Sequence, residues 1–369
     1  MSVVMHQGTE PDLDALLLMC RDLDRAFVGA GIVERFFAFG DHVARLRFAG
    51  DALVEPLTRA IAHLACDESD EATLTIDVWD SVSTGVALSP LLTALVDAVH
   101  GNPFALLTPR HELKALTNAR VAATYELGSG VFTLYDRSTN HAIYWVRDPD
   151  ALPYYELGAP FRTTLNWWLS GRGVQCIHAA AVGREDGALL LTGKGGSGKS
   201  TTALACITSP LKYLGDDYCA FSIDGRPEVF SLYNTGKLRD DVDVQRQPHF
   251  APWIVNPDRE RDEKYLMFLA EHARDRILSR APLAAIVLPR VTGAIRPRLT
   301  AVSPALALKS LAPTSMFQLP GSSRGAFEQM AALSRTMPCY SLECGADLAA
   351  TTSVLAGLLA ELIPCEPRR

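Results

Sequence analysis

The sequence predicts a mixed α/β fold: an α+β domain over residues 1–150, then a second domain over residues 151–369 built around a glycine-rich loop. Three observations predict it. Residues 187–207 run as a buried-strand pattern, a glycine-rich turn and a helix. Segments 121–127, 130–135 and 142–146 read as successive antiparallel strands joined by polar turns. Asp148, Pro149, Asp150 and Pro153 then punctuate the chain where a domain break is expected.

At 369 residues the chain is long enough for two domains. With 48% hydrophobic and 21% charged residues, neither disorder nor a highly charged tail is indicated. Thirty-five basic against 42 acidic residues give a formal charge of -7, so no nucleic-acid partner is expected. The N-terminal stretch has no basic region leading into an apolar core and a cleavage site, so no secretory signal is expected. The longest apolar stretch, residues 86–99, is broken by Pro90 and Asp97 and is too short to span a bilayer. The expectation is a cytoplasmic protein with no membrane partner, and a homo-oligomer is compatible with it. The eight cysteines include no C-x-x-C pair and no histidine at zinc spacing, so they read as small buried hydrophobes.

Taken in order, residues 11–27 carry apolar side chains at helical spacing, and 33–39 with 42–48 form a hairpin around Gly40 and Asp41. A helical pattern over 52–65 and a strand over 73–79 follow. The aromatics of this half, among them Phe36, Trp79 and Trp145, have few basic residues between them and read as core rather than as a base-stacking surface. In the second half, 161–169 is a short helix and 174–182 and 187–192 are strands. Residues 212–217 read as a strand ending in two carboxylates, and 218–223 with 228–232 as a hairpin around Asp224 and Gly225. Residues 239–263 read as a long surface loop, 263–278 as a helix and 283–288 as a buried strand. Helices over 304–311, 325–333 and 348–362, with a strand at 339–342, complete the chain.

Gly193 to Ser200 fits G-x-x-x-x-G-K-[ST] at every fixed position. Gly193, Lys194, Gly195, Gly196, Ser197 and Gly198 allow the backbone to curl with its N–H groups turned toward phosphate oxygens. Lys199 is expected to reach the β- and γ-phosphates, Ser200 to ligate Mg²⁺, and Thr201 to continue the helix start. Asp216 and Asp217 lie 17 and 18 residues after Lys199, at the end of the next strand, where a parallel sheet would bring them beside the loop. One carboxylate can hold the metal and the other can accept a hydroxyl proton. His178 stands 21 residues before Lys199 in an otherwise apolar strand, a setting that by itself describes a hydrogen-bonded core residue.

The combination of His178, the loop Gly193 to Thr201 and Gly215-Asp216-Asp217 resembles the ATP-binding half of HPr kinase/phosphorylase, a protein-serine kinase family akin in its nucleotide core to phosphoenolpyruvate carboxykinase. The resemblance covers about residues 175–232, more loosely the chain to its end, and nothing before about 150. It implies ATP and Mg²⁺ as cofactors and transfer of the γ-phosphoryl group to a hydroxyl, a serine of a peptide or small protein. It further implies Asp216 as general base, Asp217 and Ser200 on the metal side, His178 near the metal and phosphates, and Lys199 in its usual loop role. The two aspartates can exchange roles without contradicting the sequence. The family's arginine-and-glycine-rich signature is absent, and residues 231–239 stand in its place, with Lys237 and Arg239 as weak phosphate candidates and Arg290 as another. By this departure the chain resembles divergent members encoded with lasso and other ribosomal peptide pathways more than a housekeeping HPr kinase. A small-molecule kinase or carboxykinase-like phosphotransferase, and a non-catalytic ATP-binding sensor, are the alternatives.

Overall fold

The computed structural model describes residues 11–319 and 324–363. Their contacts divide them into two units, the first formed by residues up to Arg59 with Ala65–Thr164, the second by Ala60–Leu64 with the residues from Leu165 onward. The division thus falls downstream of the Pro149 region. Tyr144 Oη donates to Glu156 Oε1 at 2.7 Å, and Arg162 bridges Glu156 and Glu126, so the segment after residue 150 is tied to the first sheet.

The first unit holds a seven-stranded mixed sheet. Its strands are β1 (Ile32–Phe39), β2 (His42–Ala49), β3 (Ala65–Cys66), β4 (Leu74–Asp80), β5 (Val121–Glu126), β6 (Val131–Asp136) and β7 (His141–Val146), in the order β3-β1-β2-β4-β7-β6-β5. The β1–β2 hairpin and the β5–β6–β7 meander form as their alternation predicts, and β4 inserts parallel to both β2 and β7. Helix Pro11–Ala30 turns Leu16, Met19, Leu23 and Phe27 to the sheet, and helix Pro90–Gly101 adds Leu92, Val96 and Val99 around Trp79, Phe132 and Trp145. The helix expected over 52–65 is a short α-helix, Val54–Thr58, that tightens into a 3₁₀ turn, Arg59–Leu64.

The second unit is an α/β layer structure. Its strands are β8 (Val174–Ile177), β9 (Ala180–Arg184), β10 (Gly187–Leu191), β11 (Lys212–Gly215), β12 (Cys219–Ser222), β13 (Glu228–Ser231), β14 (Thr235–Leu238), β15 (Tyr265–Phe268), β16 (Arg280–Val291), β17 (Arg298–Ala301) and β18 (Cys339–Cys344). Nine of them join in one sheet along β11-β9-β10-β16-β13-β12-β8, with β18 pairing β16 and β17, while β14 and β15 form a separate ribbon. Successive side chains of β10 alternate between two cores. Ala188 and Leu190 meet Leu311, Met330 and Leu333 from helices Pro304–Gln318 and Arg324–Thr336. Leu189 and Leu191 meet Leu204, Leu355 and Leu359 from helices Lys199–Ala205 and Leu348–Leu362.

Three sequence expectations change here. The run 174–182 is not one strand: it breaks at His178 and Ala179, β8 pairing with β12 and β9 with β10 and β11. Residues 263–278 are not a helix. Their apolar stretch Tyr265–Phe268 is β15, paired to β14, and only a single turn, Ala270–Ala273, and a 3₁₀ turn follow. The loop 239–263 contains a helix, Asp241–Arg246, whose N-cap Asp240 accepts from Val242 and Asp243. No described helix is long and apolar enough to cross a membrane.

Candidate active site

Strand directions bring the three sequence elements to one sheet edge. β10 and β11 are both antiparallel to β9, which lies between them, so they run the same way without being neighbours. The ends of β10 and β11 and the beginning of β9 therefore share one edge, and from it project the loop, the two aspartates and His178. The expected outcome of a parallel sheet is reached with an antiparallel strand in the middle.

The loop leaves β10 at Thr192, and Gly198 takes φ +103 immediately before helix Lys199–Ala205, a conformation open to glycine and strained for other residues. At Gly193 a Cβ would stand 2.6 Å from Ser197 Oγ, so the curl also requires that glycine. Lys199 is buried, its ammonium donating to the Gly193 carbonyl at 2.6 Å and reaching the Lys194 carbonyl at 3.4 Å. Burial lowers its pKa, against the pull of Asp216 and Asp217.

The aspartates diverge because the chain turns tightly between them. Asp217 sits at φ +63, and the Tyr218 amide donates to the Asp216 carbonyl at 2.8 Å across it, a three-residue turn. Asp216 points inward, 2% exposed, accepting from Ser200 Oγ at 3.0 Å through Oδ1, while its Oδ2 is buried with no hydrogen-bond partner among the described residues. Burial, then the neighbouring Asp217 charge, lifts its pKa above the usual carboxylate range. Asp217 faces outward and accepts from Lys237 Nζ at 2.8 Å. Burial opposes its ionisation, yet Lys237, Lys264 and His178 together hold its pKa well below the usual range.

His178 occupies the break between β8 and β9, its amide donating to Ser315 Oγ at 3.0 Å and its ring edge-on to Tyr218 at 5.7 Å. Burial lowers its pKa to about 4, with Lys199, Lys264 and Lys237 opposing the pull of Asp217, so the ring is neutral at physiological pH. Its Nδ1 is buried and unpartnered among the described residues.

A cleft of about 310 Å³ unites these groups: His178, Gly195, Gly196, Ser197, Gly198, Lys199, Ser200, Thr201, Asp217 and Lys237, with Arg239, Asp243, Arg246, Lys264, Val291 and Gln318. Asp216 lies behind this wall, against Ser200. Gly193 and Lys194 instead face a second pocket of about 610 Å³, between the loop, the end of β16 and helix Pro304–Gln318, and Arg290 lines that pocket rather than the cleft. Lys264, Arg246 and Gln318 escaped sequence reasoning. Lys264 carries a usable signal, a lysine one residue before a four-residue apolar strand, but only once that strand is separated from the helix assigned to it.

Among the described residues no three His, Cys, Asp or Glu side chains cluster as a metal cage. What is present fits Mg²⁺ in another way, since one hydroxyl and one carboxylate with a buried, unpartnered oxygen leave the remaining positions of an octahedral ion to phosphate and water.

No known protein-family model matches the chain, and no curated protein matches it. Among solved structures, it is similar to the Hpr(Ser) kinase/phosphatase from Coxiella burnetii, at 10% identity over 51% of this chain and 94% of that one, with a TM-score of 0.28.

Proposed function

We propose that the second unit is an ATP-dependent phosphotransferase that moves the γ-phosphoryl group to a hydroxyl, that of a serine on a peptide or small protein. The observation that carries this reading is the convergence on one sheet edge of a complete phosphate loop, a carboxylate against the loop serine, and a second carboxylate facing the same cleft. Loop amides and Lys199 hold the β- and γ-phosphates, and Lys199 exchanges its carbonyl contacts for phosphate oxygens as nucleotide enters. Ser200 and Asp216 would hold Mg²⁺, which when bound offsets charge on the phosphate oxygens. This reverses the allotment drawn from the family resemblance, because Asp216 is the aspartate in contact with Ser200 and Asp217 the one open to an acceptor.

Asp217 receives the acceptor hydroxyl and takes its proton. A loose phosphoryl-transfer transition state asks little of a base beyond orientation, which a carboxylate of depressed pKa supplies. Lys237 and Lys264 stabilise charge on the moving group, and neutral His178 can donate or accept at the phosphates without adding charge.

Radiolabelled ATP, Mg²⁺ and a panel of serine peptides should yield phosphoserine, absent from Lys199→Ala and Asp216→Ala protein. Label appearing only in a non-peptide hydroxyl would make this a small-molecule kinase. Nucleotide binding without any labelled acceptor would replace the reading with an ATP sensor.

A further inference from the structure

Lys237 is the cation that pairs with Asp217, and its strand is pinned residue by residue. Asn234, wholly buried just before β14, donates through both its backbone N–H and its Nδ2 to the Ala60 carbonyl, each at 2.8 Å. Its Oδ1 accepts from the Ala270 amide at 3.2 Å and its carbonyl from the Leu269 amide at 3.0 Å. Asn234 Nδ2 also lies 3.4 Å from His63 Nδ1, and His63 Nε2 is 2.7 Å from Ser231 Oγ. A neutral imidazole accepting at Nδ1 and donating at Nε2 satisfies both contacts. Arg274 closes the turn from outside, donating to the Ala62 carbonyl at 3.1 Å. The turn Ala60–Leu64, drawn from far upstream in the chain, belongs to the second unit, where Asn234, His63 and Arg274 tie it down.

Beyond Asn234 the constraint continues. Tyr213 Oη, from β11, donates to the Thr235 carbonyl at 2.6 Å. Gly236 lies so close to helix Lys199–Ala205 that a Cβ would meet Leu204 Cδ2 at 2.7 Å. Lys237 follows, on Asp217.

We infer that Asn234 and His63 are positioning residues through which the turn Ala60–Leu64 sets Lys237 against Asp217, and that phosphoryl transfer requires this turn in place. The loop is anchored separately, by β10 and by Lys199, so displacing the turn frees Lys237 and leaves nucleotide binding intact. The inference rests on the phosphotransferase reading for the catalytic meaning of Lys237, but not for its placement.

The test uses the full chain. Lysines are pulse-acetylated, and modification of Lys237 is followed by mass spectrometry against exposed Lys309, in wild type, Asn234→Ala and Arg274→Ala. Acetylation of Lys237 should rise about tenfold in Asn234→Ala and about twofold in Arg274→Ala, as the strand opens locally. Affinity for a fluorescent ATP analogue with Mg²⁺ should stay within about threefold, while ADP formation falls about tenfold in Asn234→Ala. Unchanged acetylation in a folded variant overturns the inference, as does nucleotide affinity falling in step with acetylation, which would make the turn a brace for the whole unit. If Asn234→Ala does not fold, the surface substitution Arg274→Ala decides. Wild-type protein that binds nucleotide but forms no ADP or phosphorylated product defeats the phosphotransferase reading, and acetylation still decides where Lys237 is held.

Discussion

Two buried carboxylates, Asp77 in the first unit and Asp216 in the second, are treated in opposite ways. Asp77 in the first unit is fully enclosed, with Arg47 donating to its two oxygens at 2.6 Å each, and His141 Nε2 lying 2.7 Å from Oδ2. Burial pushes its pKa up, but His141 and Arg47 outweigh this and hold it down. Asp216 is nearly as enclosed, yet has one hydroxyl for company and an oxygen with no partner among the described residues, and its pKa is lifted. A buried charge that the chain satisfies by itself is structure; one left unsatisfied just behind a cleft wall is a candidate for binding something else.

The comparison can be broken most directly by activity. Lys199→Ala should lower ATP turnover by about 10³-fold while moving the urea midpoint far less than Asp77→Ala does, because the protein itself loses only the lysine's contacts to the Gly193 and Lys194 carbonyls. Equal loss of stability would put Lys199 in the same class as the Asp77 cluster. Asp77→Ala should instead cost about 3 kcal/mol of stability by urea titration, leaving Arg47 without its acceptor, with nucleotide affinity of the remaining folded protein unchanged.

His63 sharpens the contrast, as a half-buried group satisfied in its neutral form. Desolvation, then the Arg274 charge, lowers its pKa to about 3. Below its ordinary value of 6.5 the unfolded chain takes up a proton that the folded chain refuses. Stability is therefore complete above pH 6.5 and falls as pH drops toward 3, by less than ~1.4 kcal/mol per pH unit because the ring keeps some exposure. His63→Gln should flatten that slope in denaturation curves at pH 7, 6 and 5; an unaltered slope would assign it to another group.

The smallest effect has the opposite sign. A carboxylate of raised pKa favours the folded state at low pH and loses that contribution as pH rises through its folded value. Asp216→Asn should therefore stabilise the nucleotide-free protein by about 1 kcal/mol at pH 8, and less at pH 4. Destabilisation at both values would mean that Asp216 is a satisfied structural charge after all.

Much of this was legible in the sequence, for reasons that differ by element. The loop and the aspartate pair are close to strand ends, so local pattern fixes their place once the strands are recognised, whereas His178, read inside one strand, lies in the break between β8 and β9. The meander of β5, β6 and β7 was legible because side chains alternate and the turns are polar. β14 was not, since Thr235-Gly236-Lys237-Leu238 has no strand signature and exists as a strand only through β15 and the surrounding contacts. With β14 unseen, the apolar run of β15 had no partner and read as helix. The same tertiary dependence hid Lys264 and the role of Ala60–Leu64, whose link to Asn234 spans 174 residues. The divergence of Asp216 and Asp217 to different partners turns on a positive φ, which adjacent identical residues do not reveal.

The antiparallel placing of β9 also creates an opposite rim. There Glu185 and Asp186 join β9 to β10, and Lys212 pairs with Glu185 at 2.6 Å where β11 starts. At roughly 3.4 Å per residue, the five residues of β10 put that hairpin tip about 17 Å from the glycine-rich loop. A dye or purification handle grafted between Glu185 and Asp186 would ride on the same rigid ribbon as the chemistry, yet remain out of its reach.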